Sequence, residues 1–293
     1  MNRQHFLKSL LLLPAGALAM KLNDFHKELS GAPASQKMPV LFVGHGNPMN
    51  AILDNNFTRS LAEWGKKLDR PNAVLVVSAH WLTKGETAVA TSPNPETIYD
   101  FYGFPPEMYQ VKYPAPGSPA TARQLVQNVQ SIQVHEHHEM GLDHGAWTIL
   151  KHIFPKADIP VFQLSIDYNK PPQWHFNLAA ELKKLREKGV LVIGSGNIVH
   201  NLRTMDFNNP ASQFDWAVEF DEFVKNKINS KDFQALVDYQ AQGRAAQLSV
   251  PTNDHYLPML YSLGLLDKNE ELRYTYESVE HGSISMRCFE SIA

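Results

Sequence analysis

Two stretches of this chain, 73–78 (Ala-Val-Leu-Val-Val-Ser) and 190–194 (Val-Leu-Val-Ile-Gly), are apolar in succession rather than at every second residue. Successive side chains of a strand point to opposite faces, so a strand with no polar face is buried on both sides. These two runs are therefore expected to be central strands with helices above and below. Around them, short β-branched runs at 40–43, 87–90, 161–166 and 283–289 alternate with longer amphipathic runs. The latter, at 57–68, 119–129, 146–153, 174–188, 214–228, 232–242 and 255–263, predict helices. That rhythm predicts a single α/β domain whose central sheet is mostly parallel or mixed and covered by helices on both faces. No internal repeat or Gly/Ser linker divides residues 39–293. The aromatic, proline-rich stretch 99–119 fits neither period and reads as a long irregular insertion of the kind that forms lids and pockets.

With 293 residues, 43% of them hydrophobic and 19% charged, the chain can bury a large core. Its net charge of -3, with both signs interspersed, leaves no basic stripe to neutralise phosphates, so nucleic acid is not an expected partner. The single cysteine, Cys288, excludes an internal disulfide framework and a Cys-rich zinc site. Any metal must then be held by nitrogen and oxygen. At the N-terminus, Arg3 and Lys8 precede the leucines 10–13, and 15–19 (Ala-Gly-Ala-Leu-Ala) offers a small-residue cleavage site. Residues 1–19 are expected to be a signal peptide and 20–38 a linker, with export to the periplasm. A twin-arginine signal would need a second arginine where Gln4 stands. The alternative is an N-terminal extension on a cytoplasmic protein. The apolar run falls well short of the ~20 residues that span a bilayer, so no membrane span is expected in the mature chain.

Four histidines lie just past strand-like runs or in turns: His45 in Gly-His-Gly-Asn-Pro, His80 after Val-Val-Ser-Ala, His200 after Gly-Ser-Gly-Asn-Ile-Val, and His255 after Asn-Asp. Functional groups of open α/β sheets gather beyond the carboxyl ends of strands, and imidazole is the commonest protein ligand for zinc, iron and copper. Together the four read as one metal site. For any one of them the alternative is a surface or satisfied core histidine, as several of the thirteen in the chain must be. The Gly194-Ser195-Gly196 turn invites a dinucleotide-binding reading, which fails because Val199 stands where the third glycine belongs. Asp254 is placed to cap a helix that starts near His255.

The densest group, 135–139 (His-Glu-His-His-Glu), lacks the second histidine of a zincin helix, because the fifth position is Glu139; it reads as a solvated strand end. His144, bracketed in Gly-Leu-Asp-His-Gly at the mouth of a predicted helix, is either exposed beside a capping Asp143 or catalytic.

Six segments taken together, Gly44 to Met49, Ser78 to Trp81, Tyr113 to Pro119, Gly141 to Gly145, Gly194 to Leu202 and His255 to Pro258, resemble the class III extradiol ring-cleavage dioxygenases of the LigB superfamily. The likeness is to the DOPA 4,5-dioxygenase branch and runs in order from about residue 39 to 285. It implies a non-haem enzyme that requires Fe(II), at a site Zn(II) can also fill, and that uses O2 to open a catechol ring beside its two hydroxyls. By matching motifs, His45, His80 and His255 would be metal ligands, His200 would lie at or against the metal, and His144 would face the substrate. The wider family uses two histidines and a glutamate, whereas this sequence carries His255 at the third position, beside Asp254. An octahedral ion that takes up both catechol oxygens and O2 can spare three protein ligands, which makes His200 a base as well as a possible fourth ligand. Phe101, Tyr102, Phe104 and Tyr109 are expected either to form an aromatic wall against the ring or to belong to a hydrophobic loop packed on the core. The resemblance points to L-DOPA, cleaved to a seco-DOPA semialdehyde. A zinc-dependent hydrolase and a non-catalytic exported zinc-binding protein would use the same histidines.

Overall fold

A computed structural model describes residues 37–292, so the expected signal peptide (1–19) and nearly all of the expected linker lie outside the described residues. The compact unit starts at Lys37. No helix among the described residues is long and apolar enough to cross a membrane.

Among the described residues, ten strands are arranged as one large sheet and one small hairpin. β1 (Val40–Gly44), β2 (Ala73–Thr83), β5 (Val161–Asp167) and β6 (Val190–Gly196) form the parallel centre of the large sheet. β3 (Thr87–Ala90) and β4 (Val134–His137) extend one side, and β10 (Cys288–Ile292) and β7 (Glu271–Tyr276) the other. The order is β4-β3-β5-β2-β6-β1-β10-β7. The two wholly apolar runs are β2 and β6, adjacent and interior as their lack of a polar face requires.

Each central strand feeds two cores. Val40, Phe42, Leu75, Val77 and Val192 face one side, where α4 (Pro172–Glu181), α6 (Asp215–Asn229) and α9 (Leu257–Gly264) pack. Leu41, Val43, Val74, Val76 and Ile193 face the other, against α1 (Asn56–Lys67) and α3 (His144–Ile153). The alternation is the period-2 geometry of a strand read out on two apolar faces. α2 (Pro119–Asn128), α5 (Lys183–Glu187), α7 (Phe233–Val237), α8 (Arg244–Ser249) and the hairpin of β8 (Val279–Glu280) with β9 (Ile284–Ser285) complete the body.

Several expected elements are corrected. The helix foreseen over 174–188 breaks at Leu182 into α4 and α5, where the backbone tightens into bonds from Leu182 N to Ala179 O and from Leu185 N to Leu182 O. The helix foreseen over 232–242 contains only α7 and a 3₁₀ turn, Tyr239–Gln242. The strand foreseen over 283–289 divides into β9, in the hairpin, and β10, in the sheet, with Met286 and Arg287 between them. β7, largely polar and on the sheet edge, had no apolar run to announce it. The 135–139 group does end a strand, β4, on the far edge of the sheet with its side chains exposed.

Candidate metal centre and substrate cavity

His45 directly follows β1, His80 lies near the end of β2 and His200 follows β6, so three adjacent parallel strands deliver them to one end of the sheet. His80 gets there through a break in the ladder. Val77 pairs with Leu164 and Leu82 with Ile166, so Ser78, Ala79, His80 and Trp81 stand opposite Ser165 alone. The bulge swings β2 away from β5 and turns the His80 imidazole toward its neighbours. His144 is the first residue of α3, and His255 sits in the turn before α9. Two glycines permit these approaches. A Cβ on Gly196 would lie 2.2 Å from the His255 carbonyl oxygen, which accepts from Asn197 N at 2.8 Å; one on Gly145 would lie 2.5 Å from Ser78 Oγ.

Five imidazoles converge there. His45 Nδ1 lies 2.9 Å from Ser195 Oγ, and that hydroxyl donates its one proton to the Gly145 carbonyl at 2.6 Å. Ser195 must therefore accept from His45 Nδ1–H, which leaves Nε2 with a bare lone pair. His255 Nδ1–H donates to Asp254 Oδ2. Burial pushes the Asp254 carboxyl up, but the bond and charge of His255, together with a bond from Thr252, hold it well below the usual range. Asp254 thus orients His255 rather than capping α9, whose cap is Tyr256 without a side-chain bond. His144 is gripped twice by Asp100: its backbone N–H donates to Oδ1 and its Nδ1–H to Oδ2, both at 2.9 Å. The same Oδ2 is 3.6 Å from His80 Nδ1. Asp143 caps α3 by accepting from Ala146 N, and accepts from Ser78 Oγ at 2.7 Å, tying β2 to α3. Burial, and then the nearby Asp100, push its carboxyl up to about 6. The exposed-His144 alternative does not hold, for that side chain is buried.

With Nδ1 of His45, His255 and His144 bonded outward, these rings are left to present Nε2 inward. His45 and His80 Nε2 are 3.3 Å apart, the edge expected, at roughly 3.3 Å, between two nitrogens 2.0–2.1 Å from a tetrahedral ion. Ligand atoms of His45, His80 and His255 all lie within 4.8 Å of one another. His200 is not in that trio; its ring stacks on His255 at 3.5 Å and 7°, and it groups with Asp254 and His255. Burial first, and then the neighbouring imidazoles, hold His45, His80 and His200 well below the usual histidine range, in the neutral form that ligates metal. His45, bonded to Ser195, His80, facing Asp100, and His255, bonded to Asp254, are a nitrogen donor set that suits a divalent transition ion.

The imidazoles floor a cavity of about 470 Å³. Phe101, Tyr102 and Phe104 line it together with Met205, Phe207 and Met286. Tyr109 is a correction: it does not line the cavity but packs behind Phe101, ring centres 5.3 Å apart, because the 3₁₀ turn Pro106–Gln110 carries it to the outer side. Tyr102 and Phe207, 92% and 71% exposed, stand at the mouth. The sequence reading missed Asp100 and Ser195. Asp100 sits between two aromatics in an insertion read only for its rings, and Ser195 lies inside the Gly-Ser-Gly turn examined only as a dinucleotide fingerprint.

The chain matches the family model "Catalytic LigB subunit of aromatic ring-opening dioxygenase" over residues 38–289. It is 46% identical over 257 residues to a 4,5-DOPA dioxygenase extradiol of Escherichia coli (strain K12), covering 86% of this chain and 94% of that protein. It is 34% identical over 252 residues to the 4,5-DOPA dioxygenase extradiol of Beta vulgaris, covering 83% and 92%. A crystal structure of an uncharacterized Escherichia coli K12 protein superposes with a TM-score of 0.76 at 43% identity, covering 86% of this chain and 99% of that one. The fold, the histidine floor and these likenesses agree: the chain belongs to the LigB family and is a metal-dependent, extradiol ring-cleaving dioxygenase.

Proposed function

We propose that the enzyme uses Fe(II), held by His45, His80 and His255, to cleave the 4,5-bond of L-DOPA or a closely related catechol, giving a seco-DOPA semialdehyde. The observation that carries this reading is the inward convergence of three Nε2 atoms whose outer nitrogens face Ser195, Asp100 and Asp254. The names of the relatives supply the substrate. Bound at these nitrogens, Fe(II) would acidify the catechol hydroxyls and bring ring and O2 to one centre.

The residues around it then have distinct tasks. The His200 ring makes no hydrogen bond among the described residues and is kept neutral, so it is free to take a catechol proton as substrate arrives. His144, its Nδ1–H fixed on Asp100, offers Nε2 to the same cavity and can accept a proton there and return it during ring opening. Phe101 and Phe104 pack against the ring and exclude water. Reconstitution with Fe(II) under anaerobic conditions, followed by L-DOPA and air, should give oxygen uptake coupled to a yellow product. Uptake without a ring-opened product, or turnover that survives His45→Ala, would sink the reading. His200→Ala and His144→Ala should keep the metal and lose turnover.

A further inference from the structure

The cavity also carries a carboxylate that no lysine or arginine among the described residues neutralises. Glu280, the last residue of β8, lines the cavity half-buried, and its side chain makes no hydrogen bond or ion pair among the described residues. The other acid lining the cavity, Asp100, is committed to His144, and no lysine or arginine among the described residues lines it. The hairpin tip that follows Glu280 is rigidly placed. His281 and Gly282 both take left-handed backbone, at φ 51° and 81°. His281 Nδ1–H donates to Asp206 O at 2.9 Å, Gly282 N to Ser212 O at 2.8 Å, and Gly282 O accepts from Phe214 N at 3.0 Å. Non-glycine residues adopt that backbone only where the surroundings enforce it, so the position of Glu280 is specified by the fold. Burial pushes its carboxyl above the ordinary value, and the adjacent His281 pulls the other way without offsetting it.

A ligand that brings an ammonium group would supply that partner as a charge-assisted pair in a largely apolar surround. We propose that Glu280 is a specificity-determining residue that binds the ammonium of the substrate side chain, so that the enzyme selects catechols with amine-terminated side chains, amino acids and simple amines alike, over catechols that carry only a carboxylate. This rests on the ring-cleavage reading above and adds what the outer half of the cavity recognises.

The test measures binding of three probes, dopamine, L-DOPA and 3,4-dihydroxyphenylpropionate, by calorimetry to the metal-loaded full chain without oxygen, so that no turnover is needed. The wild type should bind both amines at least about tenfold more tightly than the propionate. Glu280→Gln should weaken the amines by about tenfold or more and leave the propionate unchanged, and Glu280→Lys should reverse the preference. Equal shifts for all three probes, or none, would overturn the proposal, as would loss of binding that tracks a lowered melting temperature in both variants. If the binding pattern holds but no probe is cleaved when air is admitted, the catalytic reading fails and the assignment of Glu280 stands.

Discussion

Two buried polar clusters occupy opposite ends of the same strands, and they differ in how completely they are satisfied. At the amino end, Arg186 uses all five of its N–H donors: Nε to Met38 O, Nη1 to Leu265 O and Glu270 Oε2, Nη2 to Glu270 Oε1 and Ser291 Oγ. Glu270 answers in kind; burial pushes its carboxyl up, but the bonds from Arg186, the Asp267 N–H and Lys37 together bring it down to about 2. At the carboxyl end, His45, His255 and His144 are each bonded at Nδ1 and present bare Nε2 to one cavity. A buried polar group without a partner is costly, so a cluster finished on its outer side and left open on its inner side must be completed by something that is not the protein. The closed cluster is architecture and the open one is chemistry.

The sharpest way to break this contrast is to exchange the consequences of mutation. His45→Ala should reduce ring cleavage by on the order of 10³-fold or more, with the melting temperature of the metal-free protein little changed, since the imidazole lost is bonded only to Ser195 and a neighbouring cavity histidine. Arg186→Leu should do the reverse. It leaves the buried Glu270, only 6% exposed, with Lys37 as its remaining cation, and should cost up to about 3–5 kcal/mol in urea unfolding while kcat per folded molecule stays within a factor of about two. If instead His45→Ala unfolds the chain, or Arg186→Leu abolishes turnover in the folded fraction, the division between the two ends is wrong.

The legibility of the molecule follows the same line. Strands buried on two faces, β2 and β6, announce themselves because every residue must be apolar, and the histidines that follow them inherit their place from the strand ends. What could not be read is whatever depends on a contact distant in sequence. Ser78 looked like the end of a strand, yet β2 continues through a bulge to Thr83, and only the register against β5 reveals it. Asp254 has the composition of a helix cap, but the ring next to it offers a stronger, charge-assisted bond than the backbone of α9. Asp100, 44 residues from His144, and Ser195, 150 from His45, gain their roles wholly from the fold. The irregular insertion 99–119 was legible as a pocket-former, though not which of its aromatics face inward; Phe101 does and Tyr109 does not.

The outer shell of the open cluster offers a finer test than its ligands. Ser195→Ala removes the acceptor for His45 Nδ1–H and the donor to Gly145 O without touching a ligand. It should weaken metal binding by about 10–100-fold, measured by competition with a chelator, while the protein folds normally. Unchanged affinity would mean that packing alone fixes the His45 ring.

Burial of a neutral imidazole is not by itself a sign of function, and His175 marks that boundary. It is wholly buried between α4 and α9, bonded through Nδ1 to the Tyr261 hydroxyl at 3.0 Å, and does not line the cavity. Burial pulls it down to about 4 from the ordinary 6.5. The unfolded chain therefore binds a proton there that the folded chain refuses: the stability is fully present above pH 6.5 and is lost progressively as pH falls from 6.5 toward 4. Glu270 contributes in the same direction but in a lower window, its stabilisation being lost only as pH falls from about 4.5 toward 2. In urea titrations of the metal-free protein, His175→Asn should remove about 1 kcal/mol of the stability lost between pH 6.5 and 5.5, with metal affinity and ring cleavage at neutral pH unchanged. His175 Nε2 is buried without a hydrogen-bond partner among the described residues, so a change in turnover from His175→Asn would show that facing the cavity is not what separates a catalytic histidine from a structural one.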